Sequence, residues 1–268
     1  MPSPAAAGVR DPRLSTIETF AFAIGDSQDT PQTRDRLARH NLVVVDGETA
    51  PRALIDHLRN RGVIVLGYLS VGTIEPGRSW YQRLKPFRLD HWSDWDEWFA
   101  KTSSARFRDL ITDDIAPDVL TRGFDGLFLD NVDMIEGHPK QRDGMEILVR
   151  ALADLVHERG GLLFAQNGED VIEPLLPVLD GWNREDVSTT YDFDRERYGT
   201  QRPGDVKRAQ RALRRIADAG VFVTATDYVA RGDHEREQRA ILNACEVGAV
   251  PYVSDIELRR LPRSPWRC

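Results

Sequence analysis

Cysteine is almost missing: the 268-residue chain has two, Cys245 and Cys268, the second of which is the last residue. That excludes both a disulfide framework and a Cys-rich zinc site. Positive charge is in deficit as well, with 36 Lys and Arg against 43 Asp and Glu and a formal net charge of −7. Phosphate recognition needs a positive field, so a basic nucleic-acid binder is excluded. No apolar run approaches the ~18–20 residues that cross a bilayer, so no membrane partner is expected. The opening MPSPAAAGVRDPR lacks the basic-then-apolar order of a signal peptide.

Cofactor and metal signatures are also lacking. The six histidines, His40, His57, His91, His138, His157 and His234, show no HxH or HExxH spacing, which removes the usual His-based metallohydrolase. No GxGxxG or GxxxxGK[ST] follows the first strand, and there is no GxSxG elbow. DNVDMIEG has Ile135 where an EF-hand loop needs glycine. An all-carboxylate Mg²⁺ or Ca²⁺ site built from Asp130, Asp133 and a neighbour is the one metal alternative, and the expectation is no metal and no cofactor.

What is present is a globular balance, 41% hydrophobic and 29% charged, and a regular alternation of short apolar runs with longer amphipathic ones. The expected strands end near Asp26 (TFAFAIGD), Asp46 (NLVVVDGE), Ser70 (VIVLGYLSVG), Asp130 (FDGLFLDNVD), Asn167 (GLLFAQNGE), Glu185 (DGWNREDVS), Asp227 (VFVTATDYV) and Asp255 (AVPYVSDIEL). Between them lie helical patterns ended by glycine, such as GMEILVRALADLVHERG, with Ile147, Leu148, Leu152, Leu155 and Val156 as one apolar stripe. Eight strands with interleaved helices in about 250 residues predict an α/β fold, a single-domain (β/α)8 TIM barrel over residues 19–268 after an N-terminal extension over 1–18. An open doubly wound sheet is the rival. The longest departure from the rhythm, about 75–104, carries four of the six tryptophans. As a loop following a barrel strand it is expected to wall a cleft, its aromatics forming a satellite core or sugar-stacking platforms.

The strand ends carry the chemistry. Asp26, Asp46, Asp130, Glu185, Asp227 and Asp255 come from six strands and converge on one mouth in a barrel. For Asp26, Asp46 and Asp255, helix capping or a turn explains the residue equally well. Asp130 emerges at the tip of the buried run Leu127-Phe128-Leu129, and Glu185 ends the sixth strand. Glycoside hydrolysis needs such a pair, one carboxyl ionised and one protonated. Asn131 and Asp133 either bind substrate or order their loop. Tyr68 and Tyr228 orient the carboxylates, stack a sugar or are satisfied core hydroxyls; Asn167, with Gln166, suits sugar hydroxyls or supports the carboxyls.

GYLSVGTIE, FDGLFLDNVD, NREDV, TDYV and PYVSDIEL, in that order, resemble glycoside hydrolase family 114, the endo-α-1,4-polygalactosaminidases, from about Thr19 to Leu261. The strand-four phrase of family 18 chitinases is similar, but Phe128 and Val132 stand where its middle Asp and catalytic Glu would be. The resemblance implies a barrel that cleaves α-1,4-linked galactosamine polymers, with Asp130 as nucleophile and Glu185 as general acid/base. It also implies a secreted or cell-surface protein. A deacetylated galactosamine polymer is cationic, and a mouth lined by Asp26, Asp46, Asp133, Asp227 and Asp255 beside the catalytic pair would attract it. Two rivals keep the same residues: a non-catalytic carbohydrate-binding barrel, and a Mg²⁺-dependent lyase or phosphohydrolase.

Overall fold

A computed structural model of the chain describes residues 9–25 and 29–268. Its strands are β1 (Phe20–Phe22), β2 (Leu42–Asp46), β3 (Ile64–Ser70), β4 (Thr73–Ile74), β5 (Arg88–Trp92), β6 (Glu97–Ala100), β7 (Gly126–Asp130), β8 (Leu162–Gln166), β9 (Gly181–Glu185), β10 (Thr189–Asp192), β11 (Arg197–Thr200), β12 (Phe222–Tyr228) and β13 (Val250–Ser254). Eight of them, in the order β1-β2-β3-β7-β8-β9-β12-β13, form one parallel sheet. These are the eight expected segments. The sheet curls into a nearly closed (β/α)8 barrel, with Phe20 of β1 meeting Tyr252 of β13 across the seam, ring centroids 5.9 Å apart.

The period of two along each strand decides what fills the barrel. Phe22, Phe128, Phe164 and Phe222 point inward and meet in sequence, with centroid separations of 4.8 Å (Phe22 to Phe128), 6.5 Å (Phe128 to Phe164) and 6.2 Å (Phe164 to Phe222). Gly181 makes room for them: a Cβ there would lie 2.1 Å from the Phe164 ring. Two residues beyond this aromatic layer the same parity points Asp130 and Gln166 toward the mouth, as it does Asn183 and Glu185 of β9. A packed floor and a polar mouth are thus consecutive rungs of the same strands.

The outer helices follow the expected amphipathic segments, among them Arg52–Arg59, Arg142–His157, Pro203–Asp218 and His234–Cys245. One stripe needs correction. In Arg142–His157 the buried face is Met145, Leu148, Val149, Leu152, Ala153 and Val156, whereas Ile147 is 54% exposed. At 100° per residue, Ile147 falls off the face that Leu148 and Leu152 share. No helix among the described residues is long and apolar enough to cross a membrane.

Three features were not anticipated. The segment after β3 is an antiparallel sheet in the order β4-β6-β5, and β10 and β11 form a further hairpin at the end of β9. Cys245 and Cys268 form a disulfide with Cα atoms 5.2 Å apart. Two cysteines cannot make a framework, yet the segment after β13 returns to the end of helix His234–Cys245 and one bridge forms there.

Candidate active site

The mouth of the barrel opens into a cavity of about 910 Å³ whose lining includes ten carboxylates and, among the described residues, no lysine or arginine. The catalytic candidates come from β7 and β9, the two strands that flank β8. Both candidates line the cavity.

Asp130 is held by three neutral donors. Tyr68 Oη donates to its Oδ2 at 2.6 Å, while Asn131 N (2.7 Å) and Gln166 Nε2 (2.9 Å) donate to Oδ1. A buried relay orients Gln166. Thr224 and Thr226 hydroxyls donate to Asn183 Oδ1 at 2.7 and 3.1 Å, and Asn183 Nδ2 donates to Gln166 Oε1 at 2.8 Å. The acceptor-only Asp130 carboxylate at one end fixes which way both amides point, and the threonine hydroxyls, able to donate or accept, complete the relay at the other. Burial pushes the Asp130 carboxyl up, and these donors hold it back toward the anion.

Glu185 lies in a different field. Tyr228 Oη donates to its Oε1 and Asn167 Nδ2 donates to Oε2 at 2.8 Å. Burial, then the negative charges of Asp130 and Asp186, push its carboxyl well above the ordinary range; Asn167 opposes them, and Asp133 adds a smaller push upward. Of the two carboxyls, Glu185 is the one raised further. Two carboxyls with environments that push them apart are what acid/base chemistry on a glycoside requires.

Asn131 and Asn167 share a device. Each follows its strand directly and adopts the left-handed region, with φ of 59° and 57°, which asparagine tolerates better than most residues. Asn131 spends its amide on loop order, donating to the Ser70 and Thr73 hydroxyls at 3.0 and 3.1 Å. Asn167 both donates to Glu185 and accepts from Glu185 N at 3.0 Å. Asp133 also lines the cavity, where burial and the charges of Asp130 and Glu136 push its carboxyl up to about 7.

Other strand-end acids have structural work. Asp46 lines the cavity, but its Oδ1 accepts from Glu48 N, Thr49 N and the Thr49 hydroxyl, and its Oδ2 pairs with Arg78 at 2.6 Å. Asp227 is not in the cavity. By the period of two it faces outward while Tyr228 faces in; it is buried and accepts from Ser188 N and Thr189 N, both at 2.7 Å, anchoring the start of the β10–β11 hairpin. Asp255 lies past the end of β13, outside the cavity lining, and caps a turn by accepting from Arg259 N at 2.8 Å. Asp26 lies outside the described residues.

The aromatic insertion divides in two. Trp80 is buried against the core, as Tyr81, Phe87 and Trp98 partly are, whereas Trp92, Trp95 and Phe99 line the cavity. Trp95 meets Phe193, at the tip of the β10–β11 hairpin, edge to face with centroids 5.1 Å apart. Sequence reasoning missed Phe193, Glu97 and Asp186 as cavity residues. Alternation around Glu97 in DEWFA was a usable signal; nothing local marks the other two.

Asp186 provides a test of the electrostatics. Its Oδ2 accepts from the Thr190 hydroxyl at 3.0 Å, and burial pushes its carboxyl up to about 6. Removing this neighbouring negative charge makes Glu185 easier to ionise, so in Asp186→Asn the alkaline limb of kcat/KM is expected to move to lower pH. A pH–rate profile checks this, and an unmoved limb would mean that Asp186 does not help hold the proton on Glu185.

An eight-stranded barrel with an unequal carboxyl pair at the C-terminal ends of its strands is the architecture of a glycoside hydrolase. The model of glycoside-hydrolase family GH114 matches residues 2–267, and the chain belongs to that family. Among solved structures it is similar to the glycoside hydrolase domain of PelA from Pseudomonas aeruginosa, with 22% identity, 92% of this chain and 97% of that chain covered, and a TM-score of 0.75. Ega3 from Aspergillus fumigatus, in complex with galactosamine, matches at 17% identity, with 94% and 95% covered and a TM-score of 0.73. An α-galactosidase from Thermus thermophilus matches at 13% identity, with 94% and 59% covered and a TM-score of 0.60. A comparison with curated proteins found none that matches.

Proposed function

We infer that the chain hydrolyses α-1,4-linked galactosamine polymers, endo-acting and with retention of configuration. The observation that carries this reading is the unequal carboxyl pair in a cavity lined by acids. The Ega3 complex with galactosamine and the family resemblance support the choice of sugar.

Glu185 delivers its proton to the glycosidic oxygen as that bond to C1 breaks, and Asp130 forms an ester with C1. Glu185, now ionised, takes a proton from water, whose oxygen attacks C1 and releases Asp130. One water is consumed per bond cleaved, and both carboxyls return to their starting states. Tyr68, Asn131 N and Gln166 hold the nucleophile; Tyr228 and Asn167 hold the acid. Asp133, which also lines the cavity, contacts the sugar in this reading.

Mass spectrometry of products from α-1,4-polygalactosamine, partly acetylated galactosaminan and chitosan tests the reading. Galactosamine oligomers of mixed length are expected from the first two and none from chitosan. Because the attraction between an acidic cleft and a cationic chain is screened, KM should rise with ionic strength in the same assay. Intact galactosamine polymers after prolonged incubation would overturn the reading in favour of a carbohydrate-binding barrel.

A further inference from the structure

The insertion presents to the cavity a group that the hydrolytic steps leave unused. In the antiparallel β5–β6 pair Trp92 stands directly opposite Glu97, so their side chains leave the same face of that sheet. Both line the cavity. Phe99, two residues further along β6, shares the face and stacks on Trp92, centroids 5.5 Å apart and planes 13° from parallel. The opposite face is occupied by packing, with Arg88 4.2 Å above the Trp98 ring.

Among the described residues Glu97 has one hydrogen-bond partner, the Thr73 hydroxyl, which donates to Oε2 at 2.6 Å. It has no ion pair among the described residues. Arg78 is committed elsewhere, to Asp46 at 2.6 Å and to Glu75 at 2.7 and 2.8 Å. Burial and the charges of Glu75 and Asp130 push the Glu97 carboxyl up to about 7. A carboxyl so placed, among like charges and with no ion pair of its own against the weaker opposing field of Arg78, favours the anion once a cation binds beside it.

We propose that Glu97, with the Trp92 and Phe99 rings beside it, binds the protonated amino group of a galactosamine unit and thereby selects deacetylated over N-acetylated polymer. The rings offer an apolar surface to the sugar and a negative π face to its ammonium. The carboxylate accepts a charge-assisted hydrogen bond. Acetylation removes the charge and adds bulk at that atom. Thr73 follows β3, which pairs with β7 on the side away from β9, so the bound unit lies on the side of Asp130 remote from Glu185. The inference rests on the amino-sugar reading above.

The decisive quantity is the ratio of kcat/KM for deacetylated over N-acetylated α-1,4-galactosamine oligomers of equal length. In Glu97→Gln this ratio is expected to fall about tenfold, the size of one charge-assisted hydrogen bond. In Trp92→Ala both substrates should lose, the charged one somewhat more because its π contact goes too, so the ratio falls by less than in Glu97→Gln. A Glu97→Gln ratio within threefold of wild type would overturn the proposal, whatever happens to the absolute rates. Should that variant not fold, Glu97→Asp, with its charge drawn back by one methylene, is read against the same ratio and the same threshold. Calorimetry with galactosamine and N-acetylgalactosamine tetramers separates this outcome from failure of the hydrolytic reading. If the wild type cleaves neither substrate, its binding preference for the charged tetramer, and the loss of that preference in Glu97→Gln, still decides the role of Glu97.

Discussion

Glu185→Gln is expected to lower hydrolysis of the polymer by roughly 10²–10⁴-fold, the range assigned to a positioned general acid, while leaving polymer binding in place. The amide keeps the size of the carboxyl and can still meet Asn167 and Tyr228, which hold Glu185 from two sides. What it cannot do is give a proton to the leaving oxygen. The loss should therefore shrink on an aryl α-galactosaminide, whose leaving group departs without protonation. Added azide should then restore turnover by attacking the enzyme ester, and the product should be the α-azide. Full activity in this variant would remove Glu185 from the chemistry.

Asp130→Ala should cost at least about 10³-fold, as losses of a covalent nucleophile commonly do. Among the described residues no other carboxylate is held by the Tyr68, Asn131 and Gln166 donors, so none of them can take its place without rearranging the relay from Thr224 and Thr226. Azide should fill the space left and attack C1 directly, giving the β-azide. The opposite anomers from the two variants are the signature of retention, and NMR of the products reads them. If neither variant yields an azide and the wild type releases the β-anomer from its α-linked substrate, the enzyme inverts and Asp130 acts as a base on water instead.

These outcomes depend on features of different origin. That Asp130 and Glu185 belong at one mouth was legible in the chain, because a strand's period of two and the C-terminal position of the active face in a barrel are local and architectural regularities. The same regularity, applied one residue more carefully, would have placed Asp227 outside, since Tyr228 cannot face the mouth unless Asp227 faces away. Asp46 and Asp255 each carried a capping alternative from the start, and hydrogen bonds to nearby backbone N–H groups are what the structure shows for both.

Composition and periodicity by themselves determined the barrel, the eight strand positions and the acidic character of the mouth, because these follow from short-range patterns and from the sum of charges. Tertiary structure alone decided that Glu97 and Trp92 share a sheet face, that Phe193 reaches Trp95, that Cys245 meets Cys268 and that burial and the charges of Asp130 and Asp186 raise the Glu185 carboxyl. Each of these depends on groups far apart in the chain being brought within a few ångströms. A carboxyl's proton affinity in particular is set by burial and by the charges around it, and neither is a property of the residue's place in the sequence.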